Sequence, residues 1–485
     1  MLLDITESPG AGPPPDTPRT FEAADVPEAR GMVDARGCAV TGADPRALAL
    51  FERALAAYQA WRGGADELVA RAVEQAPGFV MAHVLQAWLL AAGRDPRRVQ
   101  RARAPLARAA GAQPLLERER LHLAAITAAL DDDYPRAKAL LGEVLQAFPH
   151  DVLALQVAHS LDYLTGDLER LGDRAARVLP AWDRAQPGFH ALLAMQAFGL
   201  VERGEADAAE AAARAALALN PLDARAHHVM AHVFDATGRA AEGVRWMERH
   251  AGAWTTSRMV ATHCAWHLAL FHLELGEVAQ SLALHDRHLG AVGTGDLADL
   301  IDASALLWRV QLHGHDVGDR FRALAAAWAP RIDERFCSFS DVHAMLSFVG
   351  AGDGPRVQRM LRSLEAAHAH PTRHGATTRR LGLPACRALA AFGQGRYTAA
   401  IEGLAGLPAE AHRLGGSHAQ RDVLHLTLLH AVQRIRRPEP RIVQARGSQI
   451  SVRSSGRGTS SGLSRLSSIG GAGRRVSPER GSHSW

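Results

Sequence analysis

The feature that most constrains this chain is a regular alternation of Ala- and Leu-rich stretches with short breaks. From Asp44 onward, apolar residues recur with helical spacing, and Gly, Pro and Asp interrupt them at short intervals. No stretch of alternating polar and apolar residues predicts a β-strand. Aromatic residues make up only 5% of the chain, so the core must consist mainly of Ala, Leu and Val, which suits helices packed at close range. We therefore predict an all-α protein.

The middle of the chain also repeats itself. Gly204 is followed by a small residue at Ala209 and then by Pro221. A Gly that closes one helix, a small residue that lets the next helix approach it and a Pro that ends the pair are typical of the tetratricopeptide repeat, whose period is about 34 residues. We predict that residues 41–432 form an α-solenoid, a superhelix of tetratricopeptide-like helix pairs that encloses a groove. The same spacing of five residues from Gly to a small residue recurs at Gly238 and Gly243, Gly276 and Ser281, and Gly395 and Ala400.

The two ends of the chain differ from this body. Residues 1–40 are Pro-rich and contain few large apolar side chains, which predicts a flexible N-terminal arm. Residues 433–485 are rich in Arg, Ser and Gly, which predicts a disordered tail. Residues 431–485 carry a net charge of +9, so the other residues are left with −5 of the total of +4. Binding of nucleic acid is therefore not expected for the body, and for the tail we favour a solvated extension.

Cysteine spacing and hydropathy indicate the cellular compartment in which we expect the protein. The four cysteines are widely spaced and form no CxxC pair, which argues against a disulfide framework or a thiolate zinc site and favours a reducing environment. The N-terminus has no apolar secretory segment, and no run of 18 apolar residues occurs. We expect a cytoplasmic protein without a membrane partner.

Histidine is the most informative residue type. The chain contains 25 histidines, and four of them form two pairs with a spacing of four residues. The pairs are His228 with His232 and His263 with His267. Residues four apart lie on one face of a helix, which is the geometry that lets two imidazoles hold one metal ion. Aligned on the Gly residues that close their helices, the two pairs fall on the inner faces of adjacent helices and should face each other across the groove.

Carboxylates complete the candidate site. Glu202, Asp235 and Asp302 fall on the same predicted groove and could act as metal ligands, as partners of the imidazoles or as a general base. No HExxH motif is present, so a zincin-type protease is not predicted. Three readings of the histidines stay open at this point: a polar ligand-binding groove, a metal or catalytic site, and buried structural histidines.

The sequence resembles the tetratricopeptide repeat protein 38 family over about residues 38–432. By this resemblance, the family's histidine motif corresponds to His228, His232, His263 and His267. The sequence departs from the motif at two positions, because it has Phe234 and Asp235 where we associate a His and a Glu with the family. It implies a helical-repeat superhelix and no settled activity. The matching segments are "PGFVMAH" ending at His83, "DVLALQVAH" ending at His159, "FGLVERG" from Phe198, "LNPLDARAHHVMAHV" from Leu219, "HCAWH" from His263, "LHDRHL" from Leu284, "DASALLWR" from Asp302, "FSDVH" ending at His343 and "GGSHAQRD" from Gly415.

From the sequence we expect a binding module that holds a peptide or small polar ligand in a His-lined concave groove. The alternative is a metal-dependent enzyme, hydrolytic or oxidative, that uses the paired histidines with a divalent transition metal such as Zn, Fe or Cu. The sequence leaves open whether the protein is an enzyme and establishes no cofactor. Neither reading identifies the protein, peptide or small-molecule partner.

Overall fold

The computed structural model describes residues 32–112, 114–290 and 296–436. Most of the predicted arm, residues 1–31, and the tail from residue 437 lie outside the described residues. Within the described ranges the regular structure is helical, and the only β feature is an isolated bridge between Val33 and Ala39. The all-α prediction is confirmed for this part of the chain.

The helices of the first half follow one another with short connections. Asp side chains begin several of them; Asp223, for example, accepts a hydrogen bond from the backbone N–H of Ala226, which satisfies one of the free N–H groups in the first turn. A short 3₁₀ turn spans Leu179–Ala181. The α-helices are α1 (Pro45–Gln59), α2 (Ala65–Gln75), α3 (Val80–Ala91), α4 (Pro96–Arg101), α5 (Arg103–Ala110), α6 (Glu117–Leu130), α7 (Tyr134–Ala147), α8 (Val152–Thr165), α9 (Leu168–Val178), α10 (Phe189–Glu202), α11 (Ala206–Leu219), α12 (Ala224–Ala236) and α13 (Ala240–Arg249).

The second half continues in the same way but contains more irregular turns. Single turns of π-helix occur at His285–Leu289 and Thr378–Gly382, and 3₁₀ turns occur at Ala329–Arg331 and Ala411–Leu414. The α-helices are α14 (Ala251–Trp254), α15 (Arg258–Glu274), α16 (Val278–Leu284), α17 (Leu297–Leu312), α18 (Arg320–Trp328), α19 (Ser338–Gly350), α20 (Gly354–His368), α21 (Arg373–Thr377), α22 (Leu383–Gly393), α23 (Tyr397–Leu404), α24 (Leu407–Glu410), α25 (His418–Arg421) and α26 (Val423–Arg436).

The predicted helix breaks occur where the sequence places them. Gly204, Gly238 and Gly276 follow the ends of α10, α12 and α15, and each has a positive φ that other residues adopt only with strain. Small residues mediate close contacts between helices: an added Cβ at Gly199 of α10 would lie 2.5 Å from the backbone oxygen of Leu171 in α9. Each long helix from α10 to α19 packs on its successor and, in several cases, on the next helix but one.

The N-terminal boundary differs from the sequence prediction. Residues 32–40, which the composition assigns to the flexible arm, are folded onto α1 and α6. The buried Asp34 lies 3.1 Å from Arg118 of α6, and Arg36 donates two hydrogen bonds to Glu52 of α1. These ion pairs give the segment a fixed position that its low apolar content does not predict. At the other end, α26 continues to Arg436, slightly beyond the predicted limit at 432.

The last third of the described chain packs against the first third. Arg331 forms an ion pair with Asp95, and Arg373 forms one with Asp132. Gly166, at the end of α8, lies so close to the backbone of His412 that an added Cβ would sit 1.6 Å from the carbonyl oxygen. This packing places residues 411–421 beside α8, α10 and α17, where they contribute to the site described next.

Candidate metal centre

The two predicted histidine pairs lie on two helices that pack against each other. His228 and His232 stand one turn apart on α12, and His263 and His267 stand one turn apart on α15. Because α12 and α15 are in contact, the two pairs project into the same space. The prediction that the pairs face each other is confirmed.

The four imidazoles are within reach of a single ion. One ring nitrogen from each histidine can be chosen so that all four lie within 4.8 Å of one another. The Nε2 atom of His228 lies 2.9 Å from Nε2 of His232 and 3.0 Å from Nε2 of His263. His267 completes the group, with its ring centroid 4.5 Å from that of His232 and 5.0 Å from that of His263. Among the described residues this is the one group of three or more His, Cys, Asp or Glu side chains with such spacing.

The cluster is buried except at one edge. His228, His232 and His267 are at most 3% exposed, and the side chain of His263 is 18% exposed. Burial is the main reason that the pKa of His228 lies well below its usual value, and the neighbouring imidazoles lower it further. Burial and nearby cationic groups likewise hold the pKa values of His232 and His267 well below the usual range. These three imidazoles are therefore neutral at physiological pH and keep a lone pair for a ligand.

Several nitrogens of the cluster have no hydrogen-bond partner. Both ring nitrogens of His267 are buried and unpartnered, and so is Nδ1 of His228. A buried polar atom without a partner costs about 1–3 kcal/mol. The ring of His267 packs against those of His228, His232 and His263, so at least one of its unpartnered nitrogens is available to an ion held by the cluster.

One imidazole is oriented by a carboxylate. Asp302 of α17 accepts a 2.7 Å hydrogen bond on Oδ2 from Nδ1 of His263. Its other oxygen, Oδ1, accepts a 2.9 Å hydrogen bond from the side-chain amide of Gln420, and Gln420 in turn accepts one from the hydroxyl of Tyr163. With Nδ1 donating to the carboxylate, Nε2 of His263 presents its lone pair to the cluster. A carboxylate behind a histidine ligand is the usual second partner in metal sites.

The other two predicted carboxylates take different positions. Glu202 accepts hydrogen bonds from the backbone N–H of His418 and forms an ion pair with Arg421, so it anchors the first turn of α25 and contacts none of the four imidazoles directly. Asp235 lies one turn after His232 on the same face of α12 and is half-buried. Burial raises its pKa to about 6, with Arg309 and His418 opposing the shift. Of the three carboxylates, the structure brings Asp302 alone into hydrogen-bond contact with the histidines.

Aromatic rings border the cluster where the sequence predicts an open groove. The ring of Trp61 lies 5.0 Å from that of His228, and Phe198 stacks on His228 from another side. Trp61 has a φ of +55°, a strained conformation for a residue with a side chain. Such a conformation persists only where surrounding contacts stabilise it, so the loop at Trp61 is held in place next to the imidazoles. As a result the histidines lie in a largely closed interior.

Sequence reasoning missed several of these neighbours. Gln420 and Tyr163 are 118 and 139 positions away from Asp302, and no local pattern links them. Arg225 was detectable, because it precedes His228 by three residues and shares its helical face. Its guanidinium is 4% exposed, packs 4.9 Å from the ring centroid of Trp61 and donates to the backbone oxygen of Gln59. Burial lowers its pKa to about 10.

Comparison with models of known protein families adds no identity to this geometry. No family model matches the chain. The family resemblance seen in the sequence therefore stays a prediction. Among the described residues, none of the helices combines the length and the apolar character needed to cross a bilayer.

Proposed function

We propose that this protein binds one divalent transition-metal ion through His228, His232, His263 and His267. The single observation that carries the proposal is the convergence of four imidazoles, three of them buried, with one ring nitrogen from each within 4.8 Å of the others. Imidazole nitrogen is a good ligand for Zn²⁺, Cu²⁺ and Fe²⁺. The group contains no thiolate, and a site of imidazoles alone suits each of these three ions.

The imidazoles have too few N–H donors to satisfy one another's lone pairs, which supports an ion at this position. Nε2 of His263 is an acceptor, since its Nδ1 donates to Asp302. Nε2 of His228 lies within 3.0 Å of both His263 and His232, and one N–H can serve these two neighbours only as a poorly aligned, shared bond. His267 still has no partner on either nitrogen. A cation in the centre satisfies all of these lone pairs at once, whereas no arrangement of neutral imidazoles does.

The spacing of the nitrogens fits an ion of this size. With metal–nitrogen bonds of about 2.0–2.1 Å, two ligands of a tetrahedral ion stand about 3.3 Å apart. The 2.9 and 3.0 Å separations in the cluster require only a small outward movement of the rings. Four imidazoles on a tetrahedral ion would form a closed structural site. Three imidazoles would leave a position for water or substrate, and the raised pKa of Asp235 would then suit a general base nearby.

Metal analysis of the full chain, purified without an affinity tag, tests the proposal. We expect about one equivalent of Zn, Fe or Cu per chain, and loss of that metal in the double variant His228→Gln/His263→Gln. The matched control is His227→Gln/His250→Gln, which removes two imidazoles that stack on each other at 4.6 Å outside the cluster. A wild-type protein that holds far less than one equivalent of Zn, Fe, Cu, Mn or Ni, even after incubation with each ion, would refute metal binding.

Cobalt(II) substitution distinguishes the two forms of the site. A four-coordinate cobalt site with nitrogen ligands absorbs strongly in the visible range, and a five- or six-coordinate site absorbs weakly. A strong spectrum that is unchanged by added small anions supports the closed structural site. A weak spectrum, or one that an anion changes, supports a metal centre with an open position and hence the metal-dependent enzyme predicted as the alternative from the sequence.

The groove-binding function is a second candidate, and Arg225 is the observation that favours it. The structure describes no carboxylate within ion-pair distance of this buried guanidinium, which packs on the ring of Trp61 next to His228. A buried cation without a counter-charge is costly, so an anionic group of a peptide or small polar ligand would stabilise it. Its test is the double variant His228→Ala/His263→Ala, which should lose ligand capture while it stays folded; unchanged capture would reject the groove.

The wider setting of both candidates is the tetratricopeptide-like superhelix. The Gly residues that close α10, α12 and α15, and the packing of each long helix on its successor, support this architecture and the membership in the tetratricopeptide repeat protein 38 family that the sequence suggests. In such a superhelix the inner helices line the groove, and the proposal assigns that position to α12 and α15, which carry the four histidines.

A further inference from the structure

A second polar site surrounds Cys337, at the N-terminus of α19. Cys337 is the residue directly before the first turn of this 13-residue helix, where free backbone N–H groups and the helix dipole favour negative charge. Its side chain is nearly buried, with 8% of the residue exposed. A thiol in this position is a candidate thiolate, provided that other groups support the charge.

Arg94, which precedes Cys337 by 243 residues, supports a negative charge on the sulfur. Its Nη1 donates a 3.4 Å hydrogen bond to Sγ of Cys337, and its guanidinium packs 4.5 Å from the ring centroid of Phe339. Its Nη2 is buried and makes no hydrogen bond. Burial by itself raises the pKa of the Cys337 thiol, but Arg94 and the backbone N–H of Ser340 together bring that pKa below the usual value.

A small cavity opens beside the sulfur. It has a volume of about 10 Å³, room for one water-sized molecule, and its lining includes Arg94, Cys337 and Ser340. The residue Ser340 is 8% exposed, and its Oγ is buried without a hydrogen-bond partner. Ser340 and Arg94, the two residues that carry these unpartnered donors, therefore line the same cavity as Cys337. Together they would bind an oxygen atom.

The other three cysteines lack these features. Burial raises the pKa of Cys38 to about 11, and it raises the pKa values of Cys264 and Cys386 as well. Cys264 and Cys386 are fully buried, and no guanidinium donates to either sulfur. Cys337 thus differs from them in its charge environment, and a cavity lies beside it.

We propose that Cys337 is a peroxide-reactive thiolate, a modification site that hydrogen peroxide oxidises to the sulfenic acid. The sulfur attacks one peroxide oxygen, the O–O bond breaks as the S–O bond forms, and the leaving hydroxide takes up a proton to become water. The sulfur is oxidised and the peroxide is reduced. The new oxygen accepts hydrogen bonds from Ser340 and Arg94. The small cavity has room for the attacked oxygen of the peroxide beside the sulfur and excludes bulky oxidants.

The test is the rate of oxidation at each cysteine of the reduced full-length protein. After exposure to hydrogen peroxide, the protein is denatured, the remaining thiols are alkylated, and each cysteine peptide is quantified by mass spectrometry. We expect Cys337 to be oxidised at least about tenfold faster than Cys38, Cys264 or Cys386. The exposed Met259 reports that the peroxide is active. Oxidation of Met259 with Cys337 no faster than the other cysteines would overturn the proposal.

Two variants test the role of the guanidinium. Arg94→Gln should slow the oxidation of Cys337 by about tenfold or more, whereas Arg98→Gln, which removes an exposed cation whose guanidinium donates to the backbone oxygen of Leu89, should leave the rate unchanged. If Arg94→Gln does not fold, Arg94→Lys keeps the positive charge and should keep most of the rate. A folded Arg94→Lys protein in which Cys337 reacts no faster than the other cysteines contradicts the assignment.

Discussion

His263 of α15 and Asp302 of α17 are joined by a 2.7 Å hydrogen bond from Nδ1 to Oδ2. The bond fixes which nitrogen of His263 faces the other three imidazoles. Because Asp302 is itself held by Gln420, the imidazole and the carboxylate have little freedom to rotate. This pair is the strongest geometric sign that the cluster is built to bind an ion, and the first prediction tests it.

Replacing Asp302 with Asn should weaken metal binding by about 10–100-fold. An Asn side chain can accept from His263 or from Gln420 but cannot accept from both in the present geometry, so either His263 loses its orientation or its tautomer changes. Titration calorimetry with Zn²⁺ under a competing chelator measures the affinity. The matched control is Asp299→Asn, one turn earlier on α17, where the carboxylate pairs with Arg258 and not with a histidine. Equal affinities for Asp302→Asn and wild type would show that the pair has no role in metal binding.

Replacing His267 with Leu should stabilise the metal-free protein and abolish its stabilisation by metal. Leu fills a similar volume without two unpartnered nitrogens, so the free energy of unfolding in the presence of a chelator should rise by about 1–3 kcal/mol. In the wild type, metal at a hundred times its Kd should add about 2.7 kcal/mol, and in the variant it should add nothing. Urea denaturation with and without metal measures both effects.

The control for that experiment is His227→Leu. His227 hydrogen-bonds the backbone oxygen of Pro221 through Nε2, so its loss should destabilise the protein by about 1 kcal/mol and leave the effect of metal intact. If His267→Leu also lowers the stability of the metal-free protein, His267 is a structural residue and the argument from its unpartnered nitrogens fails.

Metal affinity should fall less between pH 7.5 and pH 6 than the affinity of an exposed polyhistidine peptide. Protons compete with a metal for imidazole only below the pKa of the free ligand, and burial holds the pKa values of His228, His232 and His267 well below the usual 6.5. Proton competition at these three imidazoles should therefore begin only at lower pH. Competition titrations across this range, with an exposed polyhistidine peptide as the reference, measure the profile. A loss of affinity that already parallels the peptide near pH 6.5 would contradict the burial argument.

Replacing Gly166 with Ala should destabilise the protein more than replacing Gly204. Both glycines end a helix with a positive φ, at +65° and +83°, so Ala costs about 1 kcal/mol at either position through backbone strain. At Gly204 nothing lies within 4 Å of the added Cβ, whereas at Gly166 it meets the carbonyl oxygen of His412. The clash should add about 1–3 kcal/mol. Chemical denaturation of the two variants compares them directly, and equal losses would mean that residues 411–421 do not pack on α8.

Much of the local structure follows from the sequence. The positions of Gly204, Gly238 and Gly276 predict where α10, α12 and α15 end, and the spacing of four residues predicts that each histidine pair shares a helical face. These features depend on residues within one or two turns of each other, so they are encoded locally. The meeting of the two histidine pairs was predictable too, because it depends only on the packing of two helices that are near in sequence, α12 and α15.

Other features were decided only when the distant parts of the chain came together. Trp61 closes over His228, Gln420 holds Asp302, and Arg94 reaches Cys337 from a position 243 residues away. No periodicity records these contacts, because each one results from how many weak helix contacts add up along the whole array.

The sequence by itself therefore determined an all-helical chain with two histidine pairs brought face to face. Only the tertiary structure decided that the pairs lie in a largely closed interior, that one carboxylate of the three candidates reaches them, and that Cys337 accepts a hydrogen bond from a guanidinium. The physical reason is the range of the interactions. Helix formation and capping act over a few residues, whereas burial and hydrogen-bond satisfaction depend on every element that packs around a side chain.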